Sequence, residues 1–208
     1  MPGELLTATG LRFGYPGKPP VFDNLTFAIG PGLSQVQGGE GRGKTTLLKL
    51  ICGDLLPQAG EITLGESAQK YASRDVCKEV FRTDPRSEAL EQTTPLQFFE
   101  SLTARYPRFD LHTAKDFALG LSLGEHLQKP MYMLSTGSKR KVWLAAAFAA
   151  GTSITLLDDP FSALDHQSIA FVMDLLQEAE RHPTRAWVLA DYTPPDGVTL
   201  SKTIDLGD

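Results

Sequence analysis

Apolar and polar positions alternate with a period near two over residues 5–13 (LLTATGLRF) and 21–29 (VFDNLTFAI). This is the pattern of strands with one buried face, and the loop GYPGKPP between them makes an antiparallel pair the expected arrangement. An apolar strand follows over Leu33–Gln37, then a glycine-rich turn, then a helical apolar run over Leu47–Cys52 closed by Gly53 as C-cap. Glu61–Leu64 reads as a short strand and Val76–Phe81 as another, which runs into turn residues at 82–86. The pattern then becomes mainly helical over residues 95–150. Thr94 and Pro95 suit N-cap and N1, Leu96, Phe98, Phe99 and Leu102 form a stripe, and a second helix is expected over Leu111–Gly120. The stretch VWLAAAFAA continues a helix that opens at LSTGSKRK. Ser153–Asp159 is a short apolar run ending in two acids, as expected of a parallel strand buried on both faces. A helix from about His166 to Arg181 and strands at Trp187–Ala190 and Thr199–Leu206 complete the pattern, with no accessory C-terminal domain expected.

The stretch QVQGGEGRGKTTLLKLICG at residues 35–53 carries the clearest chemistry. Gly38, Gly39, Glu40, Gly41, Arg42, Gly43, Lys44 and Thr45 fit the phosphate-binding pattern G-x-x-x-x-G-K-[ST], between a strand and a helix as that loop requires. Glycines let backbone N–H groups curl inward around phosphate oxygens, and the following helix points its positive end at the same place. Lys44 is placed for the β- and γ-phosphates, and the Thr45 hydroxyl for Mg²⁺. Asp158 sits at a strand end where it can hold that ion, and Asp159 beside it can orient water. Asp158, Asp159 and Pro160 have a plainer reading as a polar turn, which the phosphate loop's need for an acidic strand end elsewhere in the chain outweighs. Tyr15 reads as a turn aromatic or as a flat surface for a base. Ser135–Ser138 reads as a helix cap or as an anion-binding helix start, and Lys139–Arg140–Lys141 as a solvated face.

Composition narrows the classes. The 208 residues, 41% hydrophobic and 22% charged, suit one soluble domain, and the net charge of −5 argues against a nucleic-acid footprint. No apolar run approaches a membrane span, and the start MPGELLTATG lacks the features of a signal peptide. Cys52 and Cys77 have no metal-ligand spacing. Cys52 reads as a small buried hydrophobe, and a reducing, cytoplasmic setting is expected.

Taken together, the phosphate loop, LSTGS, LLDDP and SALD follow one another in the order and spacing of an ABC-type ATPase. Ser135 stands 91 positions after Lys44 (135 − 44), and Asp158 stands 23 after Ser135 (158 − 135). The chain resembles that family from about Leu5 to Gly207. The resemblance implies an α/β P-loop NTPase fold with an N-terminal antiparallel β subdomain and an inserted helical subdomain. One domain, 1–208, is expected, with the helical part at about 84–150. It implies ATP and Mg²⁺ as cofactors, a second ABC ATPase domain as partner in a head-to-tail dimer, and a transmembrane permease subunit. The expected location is peripheral, on the cytoplasmic face of the inner membrane, and no nucleic acid is expected.

Carried over by position, Tyr15 matches the aromatic that stacks on adenine. Gly38–Thr45 match the Walker A stretch, Thr46 joins them among the expected ATP-binding residues, and Asp158 matches Walker B. Within the stretch Ser135, Thr136, Gly137 and Ser138, Ser135 and Gly137 match the signature that reaches the ATP of the partner. Ser162, Ala163, Leu164 and Asp165 match the D-loop. The resemblance also exposes departures. Asp159 stands where Glu is usual, Tyr192 where His is usual, and Thr83 where the lobe-coupling Gln is usual. Thr136 and Ser138 replace Gly and Gln, and Glu40 and Arg42 are atypical of the loop. The expected function is therefore the ATP-binding subunit of a transporter with slow hydrolysis. The alternative is a catalytically degenerate regulatory module, or the weak half of a heterodimer.

Overall fold

The computed structural model describes residues 3–65, 69–70 and 78–207. Two sheets share the chain. The first is antiparallel and runs β2–β1–β4–β5, from β1 (Leu6–Gly14), β2 (Pro20–Ile29), β4 (Ala59–Leu64) and β5 (Gln69–Lys70). The expected β1–β2 pair is present, with Leu6 opposite Ile29 and Phe13 opposite Phe22. The second sheet is parallel and runs β6–β7–β8–β3–β9, from β6 (Val80–Arg82), β7 (Ile154–Asp158), β8 (Ala186–Ala190), β3 (Gly32–Gln37) and β9 (Lys202–Asp205). Val76 and Cys77, expected to open β6, lie outside the described residues.

The central strands β7 and β8 are buried on both faces, which explains why they read as near-continuous apolar runs rather than as alternation, whereas the edge strand β9 buries only Ile204. In β7, Leu156 joins the core under α1 (Lys44–Cys52), while Leu157 points into the core shared with the helices. Val188 and Leu189 divide the same way in β8. Three helices lie between β6 and β7 in the chain: α2 (Pro95–Arg105), α3 (Leu111–Gly120) and α4 (Thr136–Ala149). The helical stretch expected over 95–150 is broken by short 3₁₀ turns at Gly124–His126 and Met131–Met133. Helix α2 starts at the expected place, because Thr94 and Gln97 cap each other reciprocally and Pro95 fills a position with no helical N–H to lose. Helix α5 (His166–Glu180) opens on Asp165, whose side chain accepts from the Ser168 N–H at 2.9 Å.

Topology decides where chemistry gathers. In register, Val36 of β3 lies beside Ala190 of β8, and Ala190 lies beside Asp158 of β7. The loop after β3, the acids after β7 and the residues after β8 therefore emerge together at the carboxyl edge of one parallel sheet, the usual ligand site of this architecture.

Candidate functional site

At that edge a cleft of about 690 Å³ opens, lined by the 40–46 loop, Thr83, Arg86, Arg140, Asp158, Asp159, Asp191 and Tyr192 among others. Its floor is the start of α1. Gly43 occupies the N-cap position at φ 92° and offers no side-chain cap, so the first helical N–H groups stay open to a ligand. Glycine is required there twice over. Its backbone is left-handed, and a Cβ would lie 2.4 Å from Val21 Cγ1.

Lys44 Nζ donates to the carbonyls of Gly38 (2.6 Å) and Gly39 (3.0 Å), and it lies 3.9 Å from the centroid of the Tyr192 ring. The ammonium is thus held above the loop, with π density from the half-exposed Tyr192 on one side. Thr45 Oγ1 donates to Asp158 Oδ1 at 3.2 Å, joining the start of α1 to the end of β7 across 113 residues of sequence. Burial pushes the Asp158 carboxyl above the ordinary range, opposed by the Thr45 hydrogen bond and Arg82, while Asp159 adds repulsion. A hydroxyl and a half-buried carboxylate side by side are hard oxygen donors of the kind Mg²⁺ accepts alongside phosphate oxygens and water. Among the described residues there is no group of three or more His, Cys, Asp or Glu that could hold a metal ion.

Thr83 lines the cleft, but its hydroxyl is already committed. The residue is 3% exposed, accepts from the Asp158 N–H at 3.1 Å and donates to the Leu156 carbonyl at 3.4 Å. At the position of the lobe-coupling Gln, Thr83 thus ties its hydroxyl to the backbone of β7, a pin that fixes the height of Asp158. Asp159 adopts φ 50°, and its N–H donates to the Ala190 carbonyl at 2.9 Å. Tyr15 is not among the residues lining this cleft. It lies alongside, its hydroxyl 3.1 Å from Thr46 Oγ1 and its ring edge-on to Phe13 at 5.1 Å.

The LSTGS residues sit elsewhere. Ser135 caps α4 by accepting from the Ser138 N–H at 3.0 Å, and the Ser135 and Ser138 hydroxyls pair at 2.9 Å. None of residues 135–138 lines the cleft of its own chain. Their end of α4 instead packs against the loop 159–165. A Cβ on Gly137 would lie 2.3 Å from the Ala163 carbonyl, where Ala163 itself is left-handed at φ 58°. Arg140 Nη1 donates to the Ser162 carbonyl, and Lys141 Nζ lies 2.5 Å from Asp165 Oδ2. Leu164 packs against the helical core below.

The basic run was expected to be a solvated face, and the structure corrects this. Lys139 pairs with Glu91 at 2.5 Å and Lys141 with Asp165, while Arg140 is 4% exposed and lines the cleft. The 3.6-residue period of α4 turns position 140 fully inward, and the side chains of Lys139 and Lys141 are themselves only 22% and 11% exposed. Asp191 was also missed. Its signal was the one that revealed Asp158, a carboxyl just past an apolar run. Desolvation raises it most, and Asp159 and Asp158 add repulsion against the pull of Lys44.

A family model described as "ABC transporter" matches residues 22–162. The chain belongs to the ABC transporter ATP-binding family. It is 34% identical over 169 residues to the cytochrome c biogenesis ATP-binding export protein CcmA of Brucella abortus, covering 81% of this chain and 77% of that one. It is 31% identical to the cobalt import ATP-binding protein CbiO of Rhodobacter capsulatus, over 83% of this chain and 64% of the relative. The solved structure of cbiO1 from Clostridium perfringens, part of the ABC transporter complex cbiONQ, superposes with a TM-score of 0.68. It is 20% identical and covers 92% of this chain and 79% of that one. The chain is thus an ATP-binding subunit of the ABC transporter type, in a family whose general activity is ATP hydrolysis. Among the described residues no helix is long and apolar enough to cross a membrane.

Proposed function

We propose that this subunit binds Mg-ATP with its phosphates on the 38–46 loop and hydrolyses it slowly, working on a membrane permease that is a separate chain. The observation that carries this reading is the 3.2 Å contact between the Thr45 hydroxyl and Asp158, at the open N-terminus of α1. It joins the two oxygen donors that a phosphate-bound Mg²⁺ needs. Mg²⁺ held there supplies charge neutralisation on the phosphates. Lys44 exchanges its two carbonyl partners for phosphate oxygens, a swap that costs little because acceptor replaces acceptor. Asp159 orients the attacking water, and Thr83 positions Asp158 through its backbone.

Two features support slow turnover. Asp159 is a short carboxylate on left-handed backbone, and catalysis is sensitive to misplacements of about 1 Å. Tyr192 lays its ring against the Lys44 ammonium, at the position where the family has His. The position of Ser135–Ser138 outside their own cleft supports a dimer in which they meet the nucleotide of the facing domain. Attachment on the cytoplasmic face of the inner membrane through permease subunits follows from the same reading. The relatives divide between an export and an import protein in their names, so direction of travel is no part of the proposal.

Titration calorimetry of the full chain with Mg-ATP tests it. Wild type is expected to bind in the micromolar range, and Lys44→Ala to lose at least tenfold. Equal affinity of the two proteins refutes the placement. Asp159→Glu is expected to raise steady-state turnover, and no gain refutes the argument about carboxylate length.

A further inference from the structure

Arg140 is harder to explain than any other residue at the cleft. It is 4% exposed, yet its Nε has no hydrogen-bond partner among the described residues. One arm donates to the Ser162 carbonyl. The other, Nη2, faces Asp159 Oδ2 at 3.8 Å, which is within ion-pair range and beyond a hydrogen bond. A buried guanidinium needs good pairing to offset its lost hydration, and this one is under-served. The other arginines of the cleft differ. Arg82 is fully engaged by Asp54 at 2.8 Å and Asp84 at 3.0 Å, while Arg86 and Arg42 are exposed. Arg140 therefore holds donors in reserve. It lies beside Asp159, whose neighbour Asp158 contacts Thr45 of the phosphate loop.

We propose that Arg140 is a ligand of the terminal phosphate, supplied by the same chain: Asp159 holds it loosely in the free protein and shares it with the γ-phosphate when a nucleoside triphosphate binds. The planar fork suits the task. One edge stays on the Ser162 carbonyl while the other turns to the phosphate, a division that a lysine cannot reproduce. An arginine contributed within one chain is a known way to steady the charge of a transferring phosphoryl group. Here it would complement Lys44 from the opposite wall of the cleft. The contact also makes the loop 159–165 responsive to whether a γ-phosphate is present, because the same guanidinium grips Ser162.

The inference rests on the Mg-ATP reading of the cleft, and the test separates the two. Full-length chain is titrated by calorimetry, in Mg²⁺, with a non-hydrolysable ATP analogue and with ADP. If wild type binds neither, the ATP reading itself fails, and this assignment with it. If wild type binds both, Arg140→Gln is expected to lose about tenfold in affinity for the triphosphate, with ADP within twofold. Asp159→Asn, at a side chain 41% exposed, frees the guanidinium and is expected to raise the preference for triphosphate over ADP. The double variant Arg140→Gln/Asp159→Asn decides between direct and indirect action. The triphosphate loss must persist in it, because an arginine that merely neutralised Asp159 would have no effect once that charge is gone. An unchanged triphosphate-to-ADP ratio in Arg140→Gln, or disappearance of its loss in the double variant, overturns the assignment. So does an equal loss for both nucleotides, which is the signature of a purely structural arginine.

Discussion

Replacing Thr83 with valine asks whether this residue acts on substrate or on the protein. The side chains are nearly isosteric, so packing at a position 3% exposed is retained and only the hydroxyl is lost. Two hydrogen bonds disappear, but their consequences differ. The Leu156 carbonyl still accepts from the Thr83 N–H at 3.0 Å, so it stays satisfied. The Asp158 N–H, which donated to Thr83 Oγ1 at 3.1 Å, is left without its acceptor in a half-buried setting. Orphaning one buried donor costs about 1–3 kcal/mol. In a domain of this size that is a melting temperature lower by roughly 2–12 °C. The assay is urea unfolding of the valine variant against wild type and Thr83→Ser, together with amide exchange of the peptide that contains Asp158. Serine keeps the hydroxyl and loses one methyl, so its loss of about 1 kcal/mol is a packing effect, and protection of the Asp158 amide survives. Valine should lose that protection while Mg-ATP affinity falls only modestly. A valine variant as stable as wild type, with normal exchange and abolished turnover, would refute the pin and return Thr83 to the group of residues that touch substrate.

Three further outcomes follow from the geometry. Gly137→Ala puts a methyl 2.3 Å from the Ala163 carbonyl, so the loop 159–165 must move; a loss of about 1–3 kcal/mol in denaturant unfolding is expected, and none would mean the loop yields freely. Ala163→Gly relieves a left-handed alanine at φ 58° and should stabilise by up to about 1 kcal/mol, read in the same unfolding series. Burial pushes the Cys52 thiol up to about 11, so in a Cys77→Ser background iodoacetamide at pH 8 should label native protein far more slowly than urea-unfolded protein. Because the folded value is raised above that of an ordinary thiol, the stability it confers is present below pH 9 and is lost as pH climbs toward 11; a flat stability profile over that window contradicts it.

What could be read before any coordinates depended on the range of the interaction. The ends of α1, α2 and α5 were legible because caps are local: Gly53, Thr94–Pro95 and the residues before His166 act within one turn. The paired acids were legible because a buried strand must end somewhere polar. Arg140 was illegible for the converse reason. Its burial comes from the rotation of α4 against the loop 159–165, which no window of neighbouring residues contains, so a run of three basic residues looked like a solvated face. Thr83 was placed near the cleft by resemblance, but only the pairing of β6 with β7, where Arg82 lies beside Leu156, turns its hydroxyl onto the Asp158 amide. Asp191 needed the β7–β8 register before its carboxyl could be set beside the other two.

Helix α4 ties these pieces into one argument. Ser135 caps its start, in the segment proposed to face the nucleotide of a partner domain, and Arg140 lies five residues on, inside its own cleft. At the rise of an α-helix that is a separation of about 7.5 Å along the axis, spanned by continuous hydrogen-bonded backbone. The helix meets the loop 159–165 at three points: Gly137 packs close against Ala163, Arg140 donates to the Ser162 carbonyl and Lys141 to Asp165. A rigid rod held at three points does not let one end move while the loop stays still. In the proposed dimer, engagement of Ser135 by the nucleotide across the interface would therefore shift the residues that hold Asp159 and Arg140 around the other nucleotide. Coupling between the two sites then needs no long chain of intermediates. It requires that α4 and the 159–165 loop keep one arrangement relative to each other, and Gly137 is where a single methyl would force them apart.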